Sequence, residues 1–218
     1  MKAKTAVIYG DSISTRNHGN GGYEQYIKHG LGLDVIHNHA ISASALTDGT
    51  PNNLIRLLDD ESMLHSDADL VILWHGTNDW YWGAPVGNPM SGDLENESTY
   101  AGALNHAVQK IRVAAPQAKI LCLTPLWRLQ APDGCETVAE AWNNPNRIGA
   151  TLRDYCHTLQ EMSQLLCFPV LDMRSLTNFN EFNHPVYQPD MVHPSDEGYR
   201  VIADILCGFI KTYIFPEN

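Results

Sequence analysis

The chain of 218 residues carries 14 Lys and Arg against 25 Asp and Glu, a formal net charge of −11, with 44% hydrophobic and 18% charged residues. A chain this acidic repels phosphate backbones and anionic headgroups, which argues against nucleic acid and membrane surfaces as partners; its basic residues form no run that would restore such a patch. Length and an ordinary apolar fraction predict one domain over residues 1–218, with a core large enough to stand without disulfide staples.

The first apolar run, Thr5–Tyr9, is rich in β-formers and stops at Gly10-Asp11-Ser12, which predicts a buried strand and then a turn presenting a hydroxyl. A short helix is predicted over Tyr23–His29, a strand over Leu33–His37, a short helix over Asn52–Asp60 and a strand over Leu70–Trp74. Apolar residues at steps of three and four predict a helix from Tyr100 to Ala115. A strand over Lys119–Leu123 follows, then a helix from Ile148 to Leu166, a strand over Phe168–Leu171 and a last helix from Val201 to Tyr213. Strands alternating with helices imply an α/β fold: parallel pairing, right-handed crossovers and a three-layer helix–sheet–helix sandwich. The expected sheet is flavodoxin-like, five parallel strands in the order 2-1-3-4-5. Three long segments, Trp80–Glu97, Pro125–Pro145 and Met173–Pro189, are rich in turn formers and follow strands, so they are expected as loops at the edge that carries Ser12.

The five cysteines are odd in number and share no metal-ligand spacing, which fits a reducing compartment better than a disulfide framework. The apolar run after Lys2 and Lys4 is about five residues, shorter than a signal-peptide core, and no stretch approaches the roughly 20 apolar residues of a membrane span. A soluble, cytoplasmic protein is expected. His37 and His39 share one strand face, but the sequence offers no third ligand at metal spacing, so a solvated or hydrogen-bonded pair is expected, with no metal and no cofactor.

A serine hydroxyl becomes a nucleophile when a base takes its proton, and imidazole is the side chain whose basicity suits neutral pH. The imidazole must in turn be held in one tautomer, usually by a carboxylate. Asp190 and His193 are three apart, just before Pro194, so a tight turn brings the carboxylate to the ring. An oxyanion formed on attack needs preorganised donors. Asn78, after the strand Leu70–Trp74, and the amide of Ser12, at the start of a following helix, are two; a third is expected from the turn 38–43.

At Gly10-Asp11-Ser12, Gly76-Thr77-Asn78-Asp79 and Asp190-Met191-Val192-His193 the chain resembles the SGNH hydrolases of the GDSL esterase and lipase superfamily, in family order and over nearly its whole length. The resemblance implies Ser12 as nucleophile, His193 as base and then acid, Asp190 as its orienting carboxylate, and Ser12, Ala43 and Asn78 as the oxyanion hole. The family usually has glycine where this chain has Ala43, and a positive φ there would strain an alanine. Asn38 and Ser42 agree with the usual surroundings of that block.

The implied reaction is hydrolysis of a carboxylic ester through an acyl-enzyme, without a cofactor. Family precedent and the consecutive aromatics Trp80, Tyr81 and Trp82 imply a short acyl group, such as acetate on a carbohydrate or other small alcohol; His75 is a further candidate for substrate contact. Two other classes share the architecture: a flavodoxin-like nucleotide or flavin binder, and a non-catalytic binding module. Asp11 and the lack of a glycine- and hydroxyl-rich cradle oppose the first, and the intact set Ser12, Asn78, Asp190 and His193 opposes the second.

Overall fold

Each of the apolar runs forms a strand in the computed structural model, which describes residues 3–216. In chain order the elements are β1 (Thr5–Gly10), α1 (Glu24–Leu31), β2 (Val35–Asn38), α2 (Leu54–Leu58), β3 (Leu70–Trp74), α3 (Thr77–Trp82), α4 (Tyr100–Ala114) and β4 (Lys119–Leu123). They continue as β5 (Leu129–Gln130), β6 (Ala139–Glu140), α5 (Leu152–Leu166), β7 (Val170–Leu171), α6 (Met173–Thr177), α7 (His184–Tyr187) and α8 (Asp196–Phe209). Five strands form one parallel sheet in the order β2-β1-β3-β4-β7, while β5 and β6 make a separate antiparallel ribbon. The main sheet is the α/β order that the sequence predicts.

The central strands read as unbroken apolar runs because helices cover both faces of the sheet. Side chains alternate across a strand. Val7, Tyr9, Val71 and Leu73 therefore pack with residues of α2, α4 and α5 on one face, and Ala6, Ile8, Leu70 and Ile72 with α1 and α8 on the other. Ile8 and Ile72 are fully buried, each worth about 1.5–3 kcal/mol of apolar transfer.

Boundaries differ from the periodic pattern where a cap or an edge intervenes. The helix expected from Ile148 begins at Leu152, because the Thr151 N–H and Oγ1 both donate to Asp154 Oδ2, at 2.7 and 2.8 Å, and stop the helix there. The last helix starts earlier than its apolar stripe, at Asp196, where Ser195 Oγ accepts from Gly198 N–H at 3.2 Å. It gives way at Ile210 to a π turn. The three expected loops are partly structured: the aromatic segment is the end of α3, the second segment contains the β5–β6 ribbon, and the third holds α6 and α7. All five cysteines are free thiols. Among the described residues, no helix is long and apolar enough to cross a membrane.

Two glycines test the packing in opposite directions. A Cβ on Gly102 of α4 would be driven into the backbone carbonyl oxygens of Asn96 and Asp93, whereas one on Gly208 of α8 meets nothing within 4 Å. Gly102→Ala is expected to lower unfolding stability by about 1–3 kcal/mol, and Gly208→Ala to raise it by about 0.5–1 kcal/mol. Urea denaturation of the two variants beside the parent checks both signs.

Candidate active site

β1 ends where Gly10 must be a glycine: a Cβ there would lie 2.5 Å from Ser14 Oγ. The chain reverses at once, with Ser14 N–H donating to Asp11 O at 3.0 Å and Ile13 N–H to Asp11 Oδ1 at 2.9 Å. Ser12 thus stands at the tip of a turn, rather than at the start of a helix, since α1 begins at Glu24. The neighbouring strand β3 ends in register with β1, Gly10 opposite Trp74. Gly76, at φ 122°, then starts α3, in whose first turn Asn78 lies.

The third segment is a turn built around one carboxylate. Asp190 Oδ1 accepts from the N–H groups of Val192, at 3.0 Å, and His193, at 2.6 Å, while Oδ2 lies 2.7 Å from His193 Nδ1. Met191 reaches the left-handed region, φ 66°, to close the turn. Gln188 fastens it by donating to Trp127 O at 3.1 Å and Val192 O at 2.8 Å. Partial burial by itself raises the Asp190 carboxyl pKa, but the hydrogen bonds from His193 and Val192 outweigh it and hold the group below the ordinary carboxylate value. An ionised carboxylate only accepts, so the His193 proton sits on Nδ1. His193 Nε2 is left as an acceptor, 2.9 Å from Ser12 Oγ. Ser12, His193 and Asp190 therefore form one hydrogen-bonded chain.

Donors converge from two other elements. The Asn78 amide donates one proton to Ser44 O at 3.0 Å and keeps a second. Among the described residues, the backbone N–H groups of Ser12 and Ala43 donate to no protein acceptor. The Ala43 peptide is held in place: Trp82 Nε1 donates to Ala43 O at 3.3 Å, and Ser44 N–H to Ile41 O at 3.1 Å. Asp79 sits fully buried below this loop and accepts from Leu46 N–H at 3.0 Å and Thr47 N–H at 3.1 Å. Burial pushes its carboxyl up to about 6, against those hydrogen bonds. Ala43 adopts φ 61°, the glycine-favouring conformation.

Ser12, Ala43, Asn78, Asp190 and His193 all line one cleft of about 550 Å³. Tyr81 and Trp82 join its wall, edge to face at 4.8 Å between ring centroids. Trp80 and His75 do not. Trp80 is 0% exposed and donates its indole N–H to Asn144 O at 2.9 Å, because one step along α3 turns it into the core. His75 is buried against Ser44 Oγ at 3.3 Å, and burial drives its ring down to about 3, so it stays neutral.

Two residues of the cleft carry no sequence signal. His18 stacks on His193 with centroids 3.9 Å apart and planes within 8°. Burial, and then the neighbouring His193, hold the His18 ring below the usual imidazole pKa. Arg128, buried in the segment after β4, donates to Thr77 Oγ1 at 3.0 Å and Gln130 Oε1 at 2.6 Å. Burial lowers its guanidinium to about 10, opposed mainly by the carboxyl of Asp11. Its position at the strand edge follows from the element order; its hydrogen bond to Thr77 does not.

The family model of the GDSL-like lipase/acylhydrolases matches residues 8–201. No curated protein is significantly similar to the chain in sequence. Among solved structures, a Lactobacillus plantarum protein superposes with a TM-score of 0.82 at 21% identity, covering 98% of this chain and 99% of that one. A possible lipase from Chitinophaga pinensis gives 0.71 at 22% identity, with 97% and 99% covered. The lipase/acylhydrolase from Enterococcus faecalis gives 0.65 at 18%, with 99% of each chain covered. These likenesses are likenesses of fold.

The backbone of Ala43 makes a stability test. An alanine held in the left-handed region costs about 1–2 kcal/mol, so Ala43→Gly is expected to be neutral or stabilising by up to about 1 kcal/mol, where glycine in a helix would destabilise. Ala43→Val, with a β-branched side chain at the same φ, is expected to lose more than about 1 kcal/mol. Thermal unfolding of the three proteins separates the cases.

Proposed function

The chain belongs to the GDSL-like lipase/acylhydrolase family and is an ester hydrolase, and from that premise we propose that Ser12 works through a covalent acyl-enzyme on short acyl, above all acetyl, esters of carbohydrates or other small alcohols. The observation that carries the mechanism is the unbroken chain from Ser12 Oγ through His193 to Asp190, at 2.9 and 2.7 Å.

In this reading Ser12 Oγ attacks the ester carbonyl carbon as its proton passes to His193 Nε2. The negative charge that develops on the carbonyl oxygen is met by the N–H groups of Ser12 and Ala43 and the second amide proton of Asn78, donors fixed before the reaction begins. Collapse breaks the bond to the alkoxide, which takes the proton from His193 and leaves as the alcohol. Water then gives a proton to His193 and attacks the acyl carbon; the acid departs as Ser12 regains its proton. Asp190 stays ionised throughout and stabilises the imidazolium that forms twice in the cycle.

The substrate side rests on the cleft wall. Tyr81 and Trp82 offer flat apolar ring faces beside the polar side chains of Ser42 and Gln130, a combination suited to a sugar or small alcohol, with an apolar body and a hydroxylated rim. Residues 1–218 are read as one domain, supported by a family match that spans 8–201.

Ser12→Ala is expected to lower kcat on p-nitrophenyl acetate by about a thousandfold or more, and a fluorophosphonate probe to label the parent but not the variant. Full activity or full labelling of the variant would remove Ser12 from the mechanism. Among p-nitrophenyl esters from acetyl to octanoyl, kcat/KM is expected to be highest at acetyl; a maximum at octanoyl would overturn the substrate assignment and leave the mechanism standing.

A further inference from the structure

The tertiary structure supplies what the pair His37 and His39 lacks in sequence. Both rings project from the same face of β2 and its extension, parallel to within 5° at 6.4 Å. A third imidazole, His65, enters from the segment before β3 and stacks on His37 with centroids 3.7 Å apart. Its Nε2 lies 2.7 Å from His39 Nε2. Asp67 follows two residues later, held close by a turn in which Ala68 N–H donates to His65 O at 3.2 Å. One ligand atom each of His37, His65 and Asp67 lies within 4.8 Å of the others.

We propose that His37, His65 and Asp67 bind a divalent transition-metal ion of the zinc class, with His39 positioning the ring of His65. Ligand atoms on a tetrahedral zinc are about 3.3 Å apart, given bonds of about 2.0–2.1 Å, so modest side-chain rotations in the half-buried histidines and the exposed Asp67 bring the three into place. Two imidazoles and one carboxylate favour zinc and its neighbours over magnesium or calcium, which prefer all-oxygen sites. When His65 Nε2–H donates to His39, Nδ1 is the ligand atom that remains; a hydrogen bond of this kind commonly fixes a metal-binding histidine.

The framework around the cluster is anchored at both ends. Asp69 Oδ2 accepts from the N–H groups of Lys4, at 2.7 Å, and Thr5, at 3.0 Å, and Met63 O accepts from the Tyr9 hydroxyl at 2.6 Å. The segment that carries His65 and Asp67 is thus pinned to β1 on either side, and His39 is fixed by its N–H donating to Ile8 O at 2.9 Å. None of the four residues lines the Ser12 cleft. A bound ion ties the edge strand β2 at His37, six residues before Ala43, to the segment that leads into β3.

Isothermal titration of the chelator-treated full chain with Zn²⁺ tests this directly. Binding of about one ion per chain is expected, with a Kd of about 10 µM or tighter, and none for Mg²⁺. His65→Gln and His37→Gln, shown to be folded by circular dichroism, are each expected to weaken binding at least about tenfold; the exposed Asp67→Asn, which carries little folding risk, is expected to weaken it by a similar factor. His193→Ala is expected to bind Zn²⁺ as the parent does. No binding by the parent at about 100 µM Zn²⁺, unchanged affinity in Asp67→Asn and the folded histidine variants, or loss of binding in His193→Ala would each overturn the assignment. The readout is the metal itself, so it stands or falls independently of esterase activity.

Discussion

The arrangement at the sheet edge hangs on the parallel pairing of β1 with β3, from Ala6 opposite Leu70 to Gly10 opposite Trp74. Two parallel strands in register end at the same level, so the turns that leave them are neighbours whatever their sequences. One turn carries Ser12 and the other leads through Gly76 into Asn78. Their proximity costs no long-range search beyond forming the sheet, and the sheet is secured by apolar burial on both faces rather than by anything at the site. Ligands gather at this edge in open α/β sheets for the same reason.

Burial that makes the sheet stable also sets the electrostatics beneath the cleft. Asp11 is driven up to about 7 by desolvation, offset in part by the Ile13 N–H and the Arg128 guanidinium. Asp79 is moved the same way, and His75 is kept neutral. These groups are spent on holding loops: Asp11 closes the Ser12 turn, Asp79 clamps 46–47, and Arg128 ties the segment after β4 to α3. Asp190 differs. It is less buried and accepts three N–H donors, so it alone of these carboxylates lies below its ordinary value. The contrast between a shielded, protonation-prone pair and an ionised acceptor separates supports from the group that faces the ring.

Strain is distributed in the same pattern. Among the described residues, four non-glycine residues have positive φ: Ala43, Cys167, Asn178 and Met191. Cys167 and Asn178 are the residues that end α5 and α6, where left-handed backbone is a routine way to close a helix. Ala43 and Met191 end no helix; they lie in the two turns that bring donors and the imidazole to Ser12. Backbone strain of about 1–3 kcal/mol persists where surrounding contacts over-determine the conformation, and here the Trp82 indole and the Gln188 amide supply those contacts.

Local rules carried the sequence a long way. Continuous apolar runs placed five strands, steps of three and four placed the long helices, and element alternation set the strand order. The short span from Asp190 to His193 placed carboxylate and ring within reach. What sequence could not convey is rotation and approach. Trp80, Tyr81 and Trp82 are equivalent as a string, yet on α3 each step turns the side chain by about 100°, so the first enters the core and the other two face the cleft. His18 reaches His193, Arg128 reaches Thr77, and His65 reaches His37 across separations over which no local period operates. The sequence by itself determined the five strands of the main sheet, the long helices, their order and the residues at the strand ends, because these follow from backbone propensity and burial over a few residues. Which distant side chains meet was decided only by the tertiary structure, because those meetings are a consequence of how helices and turns settle on the finished sheet.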